Sequence, residues 1–479
     1  MAAEVIYVVV VAGVVAVLLG VTVWRAVQVR SQADFLVAGR KLPWGVLVFT
    51  LLSSWIGAGS LFAGGENACR NGFAALWQPA GGWLGLIVIW QIAGRARRFA
   101  QYTVPDLLEA RYNTAARVLS TVAIVIAYTV ITSYQIKGGG DVLHLIFPEM
   151  ERATGMYLIA AFVIVFTAGA GMASVAYLDL VIGMLVTVIV VTAVPVLLHN
   201  AGGWEAVRRS LPASHFQVLG DLTLSQALGF TLPTMLLMVG NQGMYQKFFS
   251  ARSEKDARYA VSGWIAGTLL LETLIVTIAV IGSAQFRPDN PREIIPVTAR
   301  LGLPPWLGAL LLGGIFAKII STANNYLFSP ASNIIHDIYQ RFIDPRASER
   351  RVLVVSRLVV VLLGVYALLQ AAQFESILRA ALYAYTVYGA AVTPAVMAVF
   401  FWKRATTAGA IASIALGTVV TVGWNLANIE WLEAVYPALG VSLASLIVVS
   451  LLGPAPPEEK WRPFFAVRGE SPGEVSPTG

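Results

Sequence analysis

Long apolar runs fill almost the whole chain, separated by short polar stretches rich in arginine, glycine and proline. Runs of roughly 18 to 26 residues are long enough to cross a bilayer as helices. They predict about thirteen spans, at 4–28, 43–66, 74–94, 115–137, 154–173, 176–199, 223–247, 258–284, 304–329, 351–371, 376–402, 406–428 and 433–453. Two runs are not uniformly apolar. The first carries Ser53-Ser54-Trp55-Ile56-Gly57-Ala58-Gly59-Ser60 at its middle, where each glycine weakens helix by about 1 kcal/mol. In hydrocarbon a broken helix survives only where its freed amides and carbonyls face protein or a wet cavity, so this break predicts a binding site at mid-membrane depth. The second, 223–247, has Pro233, Gly240 and Gly243 around Asn241-Gln242 and begins five spans later. Interrupted helices at matching positions of two halves predict an inverted-repeat carrier. Repeat one then covers about 43–199 and repeat two about 223–402. One extra N-terminal and two extra C-terminal helices complete an all-α transmembrane domain over 1–453.

Composition agrees: 57% of residues are hydrophobic, 12% are charged, and mean hydropathy is +0.72, so the chain reads as a multi-pass membrane protein. The net charge of +7 comes from uneven loops rather than a nucleic-acid surface. With the N-terminus outside, the inner loops hold twenty-three of the 33 lysines and arginines, Lys247 among them; the outer loops hold eight, and Lys318 and Arg379 fall within spans. That asymmetry predicts a cytoplasmic C-terminus and a place in the cytoplasmic membrane. The first run lacks a basic leader and cleavage site and reads as a retained span. Two outer segments, 138–153 and 200–222, read as short surface helices, and 454–479 as a disordered cytoplasmic tail. The single cysteine, Cys69, excludes a disulfide framework, and the four histidines fall in expected loops.

Several motifs together resemble the sodium/solute symporter family of secondary transporters, whose core is a five-plus-five, LeuT-like inverted repeat. They are Asp34-Phe35-Leu36-Val37-Ala38-Gly39-Arg40, Trp55-Ile56-Gly57-Ala58-Gly59, and Thr103-Val104-Pro105-Asp106-Leu107-Leu108-Glu109-Ala110-Arg111-Tyr112. Later come Asn241-Gln242 with Tyr245-Gln246-Lys247, then Ser321-Thr322-Ala323-Asn324-Asn325 and His336-Asp337-Ile338-Tyr339. The resemblance implies a sodium ion as coupling ion and no other cofactor. Its ligands would be carbonyls at Ser53 and Ile56, a carbonyl at Lys318, and the hydroxyls of Ser321 and Thr322. Unwound backbone can supply a hard cation with five or six oxygens without burying carboxylates; the plainer reading is that both hydroxyls bond back to their own helix. Asp179 matches an aspartate near the path by which the cation leaves, and otherwise reads as a simple inner-surface charge.

Lys318 departs from the family, which has a small residue there. It lies three and four residues before Ser321 and Thr322, hence on their helical face, and on the order of 20 Å from either end of its span at 1.5 Å per residue. A lone lysine at that depth costs at least about 2.5 kcal/mol and calls for a partner or a cavity. Either its ammonium takes the place of sodium, making transport sodium-independent or proton-coupled, or it pairs with Glu272 or Asp179 and the sodium site is kept at Ser53, Ile56, Ser321 and Thr322. Glu272, mid-span, reads as a counter-ion, a proton carrier or the wall of an aqueous vestibule. Arg379 reads as the partner of Glu375.

The polar groups that can converge on a solute are Ser54, Ser60, Gln78, Asn241, Gln242 and Tyr385; Asn241 matches the family's solute-binding asparagine. Few cations join them, which suits a small neutral or zwitterionic solute. The competing readings are a channel, a sensor and an intramembrane enzyme built on a Ser321–Lys318 dyad. A channel would lack the paired broken helices, a sensor would need a signalling domain for which the tail after Gly453 is too short, and the dyad is the enzyme's one candidate, since no histidine is expected within a span. The partners expected are the solute and the lipid bilayer; no nucleic acid is expected, and the residues do not set an oligomeric state.

Overall fold

A computed structural model describes residues 2–26, 38–99, 102–169 and 172–465. Every named element in it is helical. The long helices are α1 (Ala2–Ala26), α2 (Trp44–Trp55), α3 (Gly64–Asn71), α4 (Trp77–Phe99), α5 (Thr114–Ile146), α6 (Arg152–Gly169), α7 (Met172–Asn200) and α8 (Leu224–Gly240). They continue as α9 (Gln242–Ser250), α10 (Glu254–Gln285), α11 (Pro305–Asn333), α12 (Glu349–Ala371), α13 (Ile377–Ala391), α14 (Thr393–Phe401), α15 (Thr407–Leu426), α16 (Val435–Leu452) and α17 (Glu458–Phe465). Among the described residues, ten helical segments are long and apolar enough to cross a membrane.

Local signals fix many boundaries. Asn113 accepts the Ala116 amide at the start of α5, Ser253 accepts that of Asp256 before α10, and Thr223 with Gln226 makes a capping box before α8. Two interruptions pair the halves. Between α2 and α3 the backbone of Ile56 is extended (φ −81°, ψ 107°), and a π-helical turn, Gly59–Ala63, leads into α3. Between α8 and α9 Asn241 alone breaks the helix (φ −54°, ψ 112°). The order of broken helix followed by four long helical segments occurs twice, which is the five-plus-five inverted-repeat, LeuT-like core. α5 and α11, equivalent in the two repeats, pack against each other, and α15 and α16 pair at the periphery. The helix 305–343 is 89% buried over its most apolar window against 33% for α6 and for α12. Similar apolar runs thus serve as a central post and as lipid-facing wall.

Several local expectations change. The stretch from Gly138 is not a surface helix: α5 continues unbroken to Ile146, because Gly139 and Gly140 let Ile159 and Met156 approach to where a Cβ would clash (2.9 and 2.7 Å). Asp141, at its end, is buried and binds Arg292 at 2.9 Å and Arg152 at 2.6 Å. Only His215 of the four histidines sits in the short outer segment; His144 and His199 lie in α5 and α7, and His336 in the π-helical extension 334–343 of α11. Arg379 pairs with Glu430 at 3.1 Å, not with Glu375. Within the expected disordered tail, 458–465 forms α17, held by Phe464 stacking on Phe99 (centroids 4.3 Å apart). Residues 466–479, and Asp34 to Val37 of the first motif, lie outside the described residues.

The end of the bundle that carries the basic loops is tied by one buried cation. Arg117 bonds Asp106, Glu109 and Asp337, the last at 3.0 Å, and Thr103 donates to Asp337 at 3.0 Å. Removing that guanidinium leaves three carboxylates without their common partner, a loss on the order of 3–5 kcal/mol. Arg117→Leu is therefore expected to lower the thermal midpoint of the purified protein far more than Arg379→Leu, whose exposed pair contributes at most about 1 kcal/mol.

Candidate functional site

The first break delivers its free carbonyls to α11. The Thr322 hydroxyl lies 3.0 Å from the carbonyl of Ser53 and 3.2 Å from that of Ile56. Gly57 makes this approach feasible, because a Cβ there would sit 2.7 Å from Thr322 Oγ1 and 2.8 Å from its Cβ. On the opposite side of the break the freed Ala58 amide donates to Gln135 Oε1 at 2.8 Å, so the unwound backbone is satisfied by side chains from both repeats.

Lys318 lies in this same region and is fully buried. Its Nζ donates to Ser53 Oγ at 2.8 Å, and the Ser53 hydroxyl donates to the Asp179 carbonyl at 3.0 Å. Ser321 does not face lipid: its hydroxyl is buried and donates to Asp179 Oδ1, while Thr50 donates to Oδ2 at 2.6 Å. Asp179 is 0% exposed, so the surface-charge alternative is wrong. Of the two carboxylates offered as partners for Lys318, Glu272 is excluded by its own contacts, described below.

The sequence puts Lys247 in an inner loop; the structure buries it completely on α9, aimed at the same centre. Its Nζ donates to the Thr50 carbonyl and to Asn325 Oδ1, both at 3.0 Å, and to Ser54 Oγ, and it stands 4.0 Å from Asp179 Oδ2. Ser54, expected in the solute site, is therefore part of this ionic centre. The signal was present: Lys247 follows Gly243 within the interrupted run and is flanked by Phe248 and Phe249. Read as a helical segment beyond the break, it faces inward with Met244.

Three other expected solute residues, Ser60, Gln78 and Tyr385, do meet, in a chamber that also includes Trp55, Gly59, Thr234 and Glu272. Glu272 is held by Trp55 Nε1 at 2.9 Å, Trp83 Nε1 at 3.1 Å and the Ser60 hydroxyl at 3.4 Å, and it lines this chamber without an ion pair to Lys318. Trp55 and Tyr385 stack with centroids 6.5 Å apart. The cavity has a volume of about 20 Å³, enough for a water or two, so the chamber must widen to admit a solute.

Asn241 and Gln242 do not line this chamber. Asn241 caps α9 and bridges two tyrosines, accepting from Tyr128 at 3.0 Å and donating to Tyr326 at 3.0 Å. Gln242 accepts the Val104 amide. The break at Asn241 is thus closed by a tyrosine cluster that includes Tyr388, which donates to the Gly240 carbonyl. Asn241→Ala strips the α9 cap and leaves two buried hydroxyls short of a partner. It is expected to cost about 2–4 kcal/mol by thermal unfolding, with Asn241→Asp retaining more because its oxygens still accept.

Asp106, His336 and Asp337 lie close enough to hold a metal ion, but Arg117 already contacts both carboxylates and serves as their cation.

Two broken helices meeting halfway along a ten-helix core, with a closed chamber and a buried ionic centre beside them, define a secondary transporter. Residues 35–417 match the sodium:solute symporter family, and the chain belongs to it. It is 26% identical to the sodium/proline symporter of Haemophilus influenzae over 471 residues (90% of this chain, 91% of the other). It is likewise 26% identical to the sodium/pantothenate symporter of Escherichia coli (92% and 95% covered). A Na+-coupled sialic acid symporter shares the fold with a TM-score of 0.82 at 17% identity, over 94% of this chain and 98% of the other. A nucleobase-cation-symport-1 family transporter shares it at 0.60 and 12% identity, over 91% and 99%. The chain is a multi-pass membrane protein and a cation-coupled symporter of a small organic solute.

Proposed function

We propose that the coupling cation is the proton, with the Lys318 ammonium standing where relatives named sodium symporters would hold their ion. The single observation that carries this reading is the 2.8 Å bond from Lys318 Nζ to Ser53 Oγ beside the Ser53 and Ile56 carbonyls and Thr322. Two physical arguments support it. The two carbonyls freed by the break already accept the Thr322 hydroxyl, and the Lys318 ammonium fills the adjoining space, 2.8 Å from Ser53 Oγ. Charge points the same way, since Lys318 and Lys247 flank a single carboxylate, Asp179. A further cation about 4 Å from an ammonium would be opposed by about 4 kcal/mol at an effective dielectric of 20. Release of one proton from Lys318 leaves one ammonium beside one carboxylate, a neutral centre. Alternating access then lets Lys318 take a proton from one side and give it to the other as the solute crosses. Asp179, 4.0 Å from Lys247 and linked to Lys318 through the Ser53 hydroxyl, positions the exchange. The membrane is the cytoplasmic one, with the N-terminus outside, supported by the basic loops. Sequence and contacts do not favour the Ser–Lys enzyme, since the Ser321 hydroxyl is bound to Asp179 and not to Lys318.

The test is uptake of a panel of labelled metabolites, the relatives' proline and pantothenate included, into proteoliposomes under separate sodium and proton gradients. An inward proton gradient is expected to drive accumulation at least tenfold, unchanged when sodium is replaced by potassium. Accumulation driven by sodium alone overturns the proton reading and leaves the symporter in place.

A further inference from the structure

We infer that the chamber binds a solute through a protonated amine, which Glu272 receives. The inference deepens the transport reading and rests on it. Glu272 is buried (4% exposed), and none of the other residues lining the chamber carries a charge. A buried carboxylate without a cation is costly, and among the described residues no cation answers it: its donors are two indole N–H groups and one hydroxyl. A second observation points the same way. Gln78 Oε1, in the same wall, is buried with no hydrogen-bond partner. The remaining hydroxyls are engaged: Ser60 donates to Glu272, Thr234 donates to the Phe230 carbonyl of its own helix, and Tyr385 shares a 3.3 Å bond with the Tyr134 hydroxyl.

Apart from the Gln78 amide nitrogen, the chamber thus offers acceptors, a carboxylate among them, and no cation lines it. The complementary ligand is one rich in N–H, with positive charge. Its walls favour an organic cation over a bare metal ion, since the stacked Trp55 and Tyr385 present aromatic surface, and Pro79, Ile275 and Val276 are apolar. An ammonium against an aromatic face gains on the order of 1–2 kcal/mol when desolvated, whereas a hard cation seeks five or six oxygens. A primary or secondary amine, free or as part of an amino acid, supplies N–H groups for both Glu272 and Gln78 Oε1. At Gly59 a Cβ would lie 2.6 Å from the Tyr385 hydroxyl, so the unwound segment touches the tyrosine that walls the chamber.

The experiment uses four probes of similar size on the full-length protein: proline (amine and carboxylate), pyrrolidine (amine only), tetrahydrofuran-2-carboxylate (carboxylate only) and tetrahydrofuran (neither), followed by a wider panel of small amines and their oxygen isosteres. Binding is read by thermal shift in detergent, and exchange separately in proteoliposomes. At least one amine in the set is expected to bind, its oxygen isostere to bind at least tenfold more weakly, and Glu272→Gln to weaken the amine about a hundredfold. Glu272→Asp, which keeps the charge on a shorter stem, is expected to recover part of the loss, which separates recognition from folding. An oxygen isostere that binds as well as its amine, amine binding unchanged in Glu272→Gln, or no amine binding at all overturns the inference. Amine binding that needs Glu272 but is never followed by exchange instead overturns the transport reading and leaves the site standing.

Discussion

Replacing Lys318 with methionine is expected to abolish proton-driven accumulation, with a loss of at least a hundredfold, while solute exchange at equal concentrations persists. Methionine keeps the length of the side chain and removes its charge. Asp179 then has Lys247 as its one cationic partner, and Ser53 Oγ loses the donor that Lys318 supplies. No site remains to carry a proton from one face to the other, so a proton gradient can no longer be spent on the solute. Lys318→Ala goes further because it also opens room. The Ser53 and Ile56 carbonyls, Thr322 and Ser321 then form the oxygen cluster that a sodium ion seeks, with Lys247 balanced by Asp179 and the Lys318 ammonium gone. Sodium is expected to stimulate uptake by Lys318→Ala and not by the parent protein. Parent-like uptake by both variants, with the same response to sodium, refutes the assignment of Lys318.

The second large effect falls on Gly57. A Cβ at this position meets the Oγ1, Cβ and Cγ2 of Thr322 at 2.7 to 2.8 Å. Thr322 cannot simply turn away, since its hydroxyl satisfies two carbonyls freed by the break. Gly57→Ala must therefore push the unwound segment off α11, at an overpacking cost of about 1–3 kcal/mol. That is small against folding but applied at the contact that both repeats share. Uptake is expected to fall at least a hundredfold while the protein still purifies as a folded species. The control is Gly423→Ala, where an added Cβ meets nothing within 4 Å and uptake is expected to be unchanged.

The two breaks could be read in advance because glycine and hydroxyl residues inside an apolar run have no other inexpensive explanation in hydrocarbon. Lys318 with Ser321 and Thr322 was legible for a similar reason: helical spacing alone puts them on one face. Ser53 and Asp179 meet them only through tertiary packing, and in the sequence the family resemblance alone pointed to them. Lys247 was misplaced because a basic residue close to the end of an apolar run looks like a loop anchor. Only the break at Asn241 turns the following helix inward and buries it. Asn241 was assigned to the solute by motif position and Gln242 as its polar neighbour on the broken helix, yet capping α9 and receiving the Val104 amide use their polar atoms first. Trp83 carried no signal at all; its indole reaches Glu272 across two helices 189 residues apart in the chain. The continuity of α5 past Gly138 was missed because three consecutive glycines resemble a turn when the helices that pack against them are out of view.

The most direct measurement of proton coupling uses sealed proteoliposomes loaded with a pH-sensitive dye. Addition of the transported solute in sodium-free medium is predicted to acidify the lumen, and the same vesicles should take up no labelled sodium when it is supplied. A lumen that keeps its pH while sodium enters in fixed ratio to the solute would contradict the account.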